Sequence, residues 1–197
     1  MHRRDFMKGL IGSGALGAVP LAFAGVPAAG SDEAGRIVVV GQADLPQAAA
    51  LADRIAGSVE TAGFSAARVT ARGDVLGSYA GVAAILDRAA RARLIGVMDD
   101  AAALVFQQIA AARGAGWVMQ AHHRIAGGEV RHCCNVAGME AGQAWVDAPQ
   151  RYAERIARLY AEALGGRALA APREPAAGAP AAFAAGPASF VSFAINT

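Results

Sequence analysis

Residues 36–112 alternate between short β-branched runs and longer stretches of helical period, and few folds accept that order. Residues 36–41 (Arg-Ile-Val-Val-Val-Gly) form a continuous apolar run closed by glycine, the pattern of a strand buried on both faces. Asp44 and Pro46 signal a helix start, Leu51, Ile55 and Val59 recur at i+4, and Gly63 ends the helix. Residues 66–71 read as a second strand. A second helix over 79–90 carries Val82, Ile85, Leu86 and Ala89. Residues 93–98 form a third apolar strand. Asp99 and Asp100 then precede a helix with Leu104, Val105, Gln108, Ile109 and Ala112, which Gly114 and Gly116 terminate. This order predicts βαβ units with right-handed crossovers. The expected fold class is α/β: a single domain with a largely parallel sheet and helices on both faces.

The remainder adds a β-hairpin and a C-terminal strand. Residues 117–124 and 129–136 flank Ile125-Ala126-Gly127-Gly128, and a turn at the glycine pair makes a hairpin. A short helical stretch is expected over 139–146. Asp147 before Pro149 starts a longer helix with Tyr152, Ile156, Leu159, Tyr160 and Ala163 on one side, closed by Gly165-Gly166. The α/β domain therefore spans 36–166. Residues 167–188 are rich in alanine, proline and glycine and read as a surface connection. In 189–197, Val191, Phe193 and Ile195 alternate as in a strand. It is expected to return to an edge of the sheet, or to serve as a docking strand for a partner.

Ahead of the domain, residues 1–24 read as an export signal and 25–35 as a flexible spacer. Arg3, Arg4, Phe6 and Lys8 precede a weakly apolar run, and Ala22 and Ala24 supply the small residues of a cleavage site. This pattern resembles the twin-arginine (Tat) signal family, with Met7 where leucine is usual and His2 where serine or threonine is common. The resemblance covers the leader alone. It implies recognition by the Tat translocase, a periplasmic location, and folding before export, commonly with a cofactor or an exported partner protein. The glycines and Pro20 within the run disfavour a stable membrane span in the mature form. The net charge of the whole chain is +2. Arg3, Arg4, Lys8 and Asp5 account for all of it, so the body is neutral, and it has no lysine. Such a body does not suit nucleic acid, which needs a dense cationic face. With 55% hydrophobic residues it does not suit disorder either.

Two groups of residues could carry chemistry. The hairpin holds both cysteines and three of the four histidines. A two-residue turn at Gly127-Gly128 sets Ile125 opposite Val130, His123 opposite His132, and Ala121 opposite Cys134. His123, His132, Cys134 and Met119 then share the apolar face, where imidazole and sulfur donors could hold copper or zinc. His122 and Cys133 share the polar face, where the thiol could be redox-active. Against this, a cysteine on an apolar face is often a small core residue. Cys133 and Cys134 point to opposite faces of a regular strand, which argues against a bridge between them. The second group is a sheet edge: Gly41, Gln42, Asp44, Asp99 and Asp100 follow the first and third strands, on the side where open α/β sheets bind ligands. Asp44 and one of Asp99 or Asp100 also serve as natural helix N-caps. Trp117, Trp145, Tyr152 and Tyr160 read as packing residues.

Dinucleotide, P-loop, nucleophile-elbow, zinc-protease and c-haem motifs are all absent. The expected function is a non-catalytic ligand-binding or accessory module of an exported system. The alternative is a metal-dependent or redox enzyme that uses the hairpin cluster.

Overall fold

The computed structural model describes residues 36–126, 129–137, 143–147, 151–164 and 188–197. The leader, the spacer, the Gly127-Gly128 turn and all but the last residue of the 167–188 connection lie outside them.

The chain forms β1 (Arg36–Gln42), α1 (Pro46–Thr61), β2 (Ser65–Ala71), α2 (Gly73–Leu76), α3 (Tyr79–Arg88), β3 (Arg93–Met98) and α4 (Asp100–Ala112). It continues with β4 (Gly116–Ala126), β5 (Glu129–Val136), β6 (Gln143–Asp147), α5 (Tyr152–Leu164) and β7 (Ala188–Asn196). The seven strands make one open sheet in the order β2-β1-β3-β7-β4-β5-β6. The α/β domain expected from the alternation is what forms. β1 pairs in parallel with β2 and β3, while every pairing from β3 through β7, β4 and β5 to β6 is antiparallel. Direction alternates across that half, so β1, β2, β3, β4 and β6 all point one way and only β7 and β5 oppose them.

Two apolar layers enclose the sheet. On one face, Leu51, Ile55 and Val59 of α1 and Tyr152, Ile156 and Tyr160 of α5 pack on Ile37, Ile95, Met119, Ala121, Phe190 and their neighbours. On the other, α2, α3 and α4 cover Val38, Val40, Leu94, Met98, Val191, Phe193 and Ile195. The helices on this second face stop at α4. The outer sides of β4 and β5 are polar there, and Ala144 and Val146 of β6 are exposed. An antiparallel half-sheet tolerates one solvated face, unlike a parallel one.

Three expectations need correction. The C-terminal strand does not return to an edge. β7 fills the slot between β3 and β4, and Phe190 through Ile195 are all buried. Phe190 and Ala194 face one layer while Val191, Phe193 and Ile195 face the other, so both faces of the strand are apolar. Gly96 makes room for it: a Cβ there would lie 2.3 Å from the Phe193 ring, which also packs against Phe106 at 5.5 Å between centroids. Second, residues 143–147 form a strand on β5, not a helix. Cross-strand pairing overrode a local pattern too short to decide. Asp147 therefore ends a strand, and the helix begins at Tyr152. Third, α4 buries Ala102, Ala103, Phe106 and Ala110, while Leu104 is 64% exposed. That helix is apolar on most of its surface, so periodicity alone did not define its inward face.

Candidate functional site

The hairpin takes the register expected from a turn at residues 127–128. His123 pairs with His132, His122 with Cys133, Ala121 with Cys134, and Met119 with Val136. Burial alternates residue by residue from Met119 to Ala126 and from Glu129 to Asn135. The hairpin therefore presents two separate groups of polar side chains, one on each face.

The inner group is a buried polar chain. Tyr160 Oη donates to Ser192 Oγ at 2.9 Å, and Ser192 Oγ lies 2.6 Å from His123 Nε2. His123 Nδ1 lies 2.8 Å from His132 Nδ1. His132 Nε2 stands 3.5 Å from Asp147 Oδ2, and Arg155 Nη1 donates to Asp147 Oδ1 at 2.8 Å. His123, His132, Ser192 and Tyr160 are each at most 3% exposed. The Nδ1–Nδ1 contact requires one ring to donate and the other to accept. An acceptor-only carboxylate near His132 Nε2 favours a proton on that nitrogen, with His132 accepting on Nδ1. In that arrangement His123 donates from Nδ1 and accepts from Ser192 on Nε2, Ser192 accepts from Tyr160, and both histidines are neutral.

Burial supports the neutral forms. Desolvation, with His132 and His122 adding to it, pushes His123 well below the ordinary histidine pKa. His132 falls to about 4, chiefly by burial, with Asp147 opposing and Arg155 reinforcing the shift. Burial and the neighbouring Cys133 raise the Cys134 thiol to about 11, and burial raises Tyr152 and Tyr160 as well. Because the folded histidines titrate below the unfolded value near 6.5, the unfolded chain takes up protons first. Their contribution is complete above about pH 6.5 and is lost as pH falls toward 4. Urea titrations should therefore show stability falling by on the order of 3 kcal/mol between about pH 7 and pH 4.5 from His132 alone. A double His123→Leu/His132→Leu variant should lose this part of the slope. An unchanged slope in that variant would contradict the assignment.

The four residues expected as metal ligands come together only in part. His123 and His132 touch. Cys134 lies two positions from His132 along β5, and Met119 is four residues from His123, ~13 Å along β4. Among the described residues, no group of three or more His, Cys, Asp or Glu side chains is arranged to hold a metal ion. Ser192, Tyr160, Asp147 and Arg155 belong to the chain of contacts, and sequence reasoning missed all four. Asp147 was read as a helix start and Tyr160 as packing alone.

The outer group joins the hairpin to the sheet edge. His122 Nδ1 lies 3.5 Å from Asp100 Oδ1, and Ser189 Oγ donates to Asp100 Oδ2 at 2.9 Å. His122 Nε2 is 2.8 Å from Gln120 Nε2. Cys133, directly opposite His122, is exposed, whereas Cys134 is buried; both are free thiols.

The rest of the sheet edge is built as expected, but its groups bond to one another. Gln42 ends β1 and Asp99 directly follows β3, where the strand order reverses. Gln42 Nε2 donates to Asp99 Oδ2 at 2.9 Å, and the Asp99 N–H donates to Gln42 Oε1 at 2.8 Å. Asp99 also caps α4 by accepting from the Ala102 N–H. Asp44 does not cap α1, whose N-cap is Leu45. It accepts the Gly73 N–H at 2.9 Å, and that bond holds its carboxyl below the ordinary value. Gly41 packs against Ala52 of α1, 2.9 Å from where a Cβ would sit.

Two open recesses lie elsewhere. A groove of about 820 Å3 between α1 and α5 is lined by Arg54, Ser58, Thr61, Phe64, Glu154 and Arg158, among others. A smaller one of about 370 Å3 lies between α4 and β4, beside Gln107, Ala111, Trp117 and Gln120. Among the described residues, no helix is long and apolar enough to cross a membrane.

No protein-family model, no curated protein and no solved structure matches this chain. The site's own chemistry therefore carries the functional argument.

Proposed function

We propose that this chain is a Tat-exported periplasmic α/β module that binds a small ligand in the groove between α1 and α5 and performs no chemistry on it. The groove carries the reading. Its lining offers the guanidinium groups of Arg54 and Arg158, the carboxylates of Glu154 and Glu162, two hydroxyls and the Phe64 ring, which together suit a small zwitterionic ligand with an apolar portion. It contains no histidine or cysteine, and Glu154 is engaged by Arg158 at 3.3 Å. An accessory role would draw on a C-terminal strand free to dock a partner. β7 lies in the sheet interior, so the ligand-binding role is the better supported.

A panel of apolar and aromatic amino acids and other small zwitterions, screened by thermal shift on the full-length protein, tests the proposal. A ligand at about 100 times its dissociation constant should stabilise the fold by about 2.7 kcal/mol, a rise of a few degrees. Arg54→Ala/Arg158→Ala should abolish the rise and leave the unliganded melting temperature near that of wild type. Binding that survives the double substitution would place the ligand elsewhere, and no shift with any member of the panel would overturn this ligand class.

A further inference from the structure

Gly57 lines the groove, and nothing in the packing of the protein asks for glycine there. It lies inside α1, where glycine is destabilising relative to alanine. The other glycines in strand and helix interiors have close neighbours: a Cβ on Gly41, Gly81 or Gly96 would come within 3 Å of a packed atom. A Cβ on Gly57 would meet nothing within 4 Å, and its backbone is not left-handed. α5 therefore does not need this glycine in order to pack on α1. What lies over it is the open groove.

We propose, on the footing that the groove is the ligand site, that Gly57 is the seat for a flat aromatic side chain and that the ligand is an aromatic α-amino acid. Arg54, Gly57, Ser58 and Thr61 recur at three- and four-residue steps, so they share one face of α1, and Phe64 follows just beyond its end. The Thr61 hydroxyl donates to the Gly57 carbonyl at 2.8 Å. Between Arg54 and Phe64 the wall is thus bare backbone flanked by small side chains. A flat ring can lie directly against such a wall, where a Cβ would hold it off. The half-buried Phe64 ring lines the same space, and paired aromatic rings attract beyond the area they bury.

α5 supplies the charged end. Arg158 and Glu162 stand at i and i+4, one turn apart, a spacing that lets one take the carboxylate and the other the adjacent ammonium of a single amino acid. Glu154 already holds Arg158 from the preceding turn at 3.3 Å, whereas Glu162 makes no ion pair among the described residues. An aromatic amino acid held this way spans the groove, with its charges on α5 and its ring on α1.

Isothermal titration calorimetry of the full-length protein with phenylalanine, leucine and alanine, alongside thermal unfolding without ligand, tests the assignment. Wild type should bind phenylalanine at least about tenfold tighter than alanine, with leucine between them. Gly57→Ala should raise the unliganded melting temperature by roughly two degrees, because it removes a helix-interior glycine that packing does not require. The same variant should weaken phenylalanine binding about tenfold and leave alanine binding unchanged. Gly57→Leu, which fills the seat, should keep the fold and abolish phenylalanine binding. A Gly57→Ala protein that melts higher yet binds phenylalanine as wild type does would overturn the seat. A lower melting temperature in that variant would do the same, by showing that the fold itself holds the glycine. Equal binding of phenylalanine and alanine by wild type would overturn the aromatic class. In each of these cases amino-acid binding that Arg54→Ala/Arg158→Ala removes keeps the groove as the ligand site. Failure of every amino acid to bind would instead remove the groove reading, and the seat with it.

Discussion

A chain ending before Ala188 will show no cooperative unfolding transition. β7 is hydrogen-bonded to β3 on one side and to β4 on the other, and among the described residues no other strand pairing joins the parallel and antiparallel halves of the sheet. Its loss separates β2-β1-β3 from β4-β5-β6. It also exposes the slot that Phe190, Val191, Phe193 and Ile195 fill, all four at most 3% exposed. At about 1.5–3 kcal/mol for each large buried apolar side chain, these four represent on the order of 10 kcal/mol. That is comparable to the whole stability of an ordinary domain. Near-ultraviolet circular dichroism during a thermal scan is the direct check, and a sharp transition in the truncated chain would refute the prediction. A milder form is Phe193→Ala, expected to cost about 3–5 kcal/mol because the ring fills the notch at Gly96 and packs on Phe106. The same geometry bears on folding. β3 must wait for a strand roughly a hundred residues later in the chain, and such non-local pairing slows folding.

Ser192→Ala should destabilise the protein by about 3 kcal/mol, far more than loss of a surface hydroxyl. Ser192 is wholly buried in the middle of β7 and bonds both His123 Nε2 and Tyr160 Oη. Removing it takes that partner from two buried polar groups at once, and each such group costs about 1–3 kcal/mol. The mechanism has a signature that a simple cavity lacks. Tyr160→Phe in the Ser192→Ala background removes one of the orphaned groups, so the double variant should be less destabilised than the sum of the singles by about 1–2 kcal/mol. Additive effects in a urea-denaturation cycle would show that the hydrogen bonds are not the cause.

Much of this molecule can be read from its residues in order. β1 and β3 fall where the continuous apolar runs lie, because a strand buried on both faces needs just such a run, while β2 is a largely exposed edge strand. The hairpin register follows from the Gly127-Gly128 position and from side chains that alternate with period two, so one turn sets every pair from Met119–Val136 to Ala126–Glu129. The split of Cys133 and Cys134 between two faces follows from the same period. The neighbours that give these residues a role could not be read this way. Ser192 and Tyr160 meet His123 only because a distant strand and a helix pack on the hairpin. Asp100 meets His122 only because α4 begins beside β4.

β7 marks the boundary between the two kinds of information. Its residues already carry the mark of an interior strand, since Phe190 and Ala194 are apolar on the face opposite Val191, Phe193 and Ile195. Local periodicity and turn residues act over a few positions, so the sequence by itself determined the α/β class, most strands and helices, and the hairpin register. Where β7 inserts, whether residues 143–147 pair or coil, and which polar groups share a proton all depend on contacts between segments far apart in the chain. Burial and pairing free energies of the assembled sheet settle those questions, and they exist only once the tertiary structure has formed.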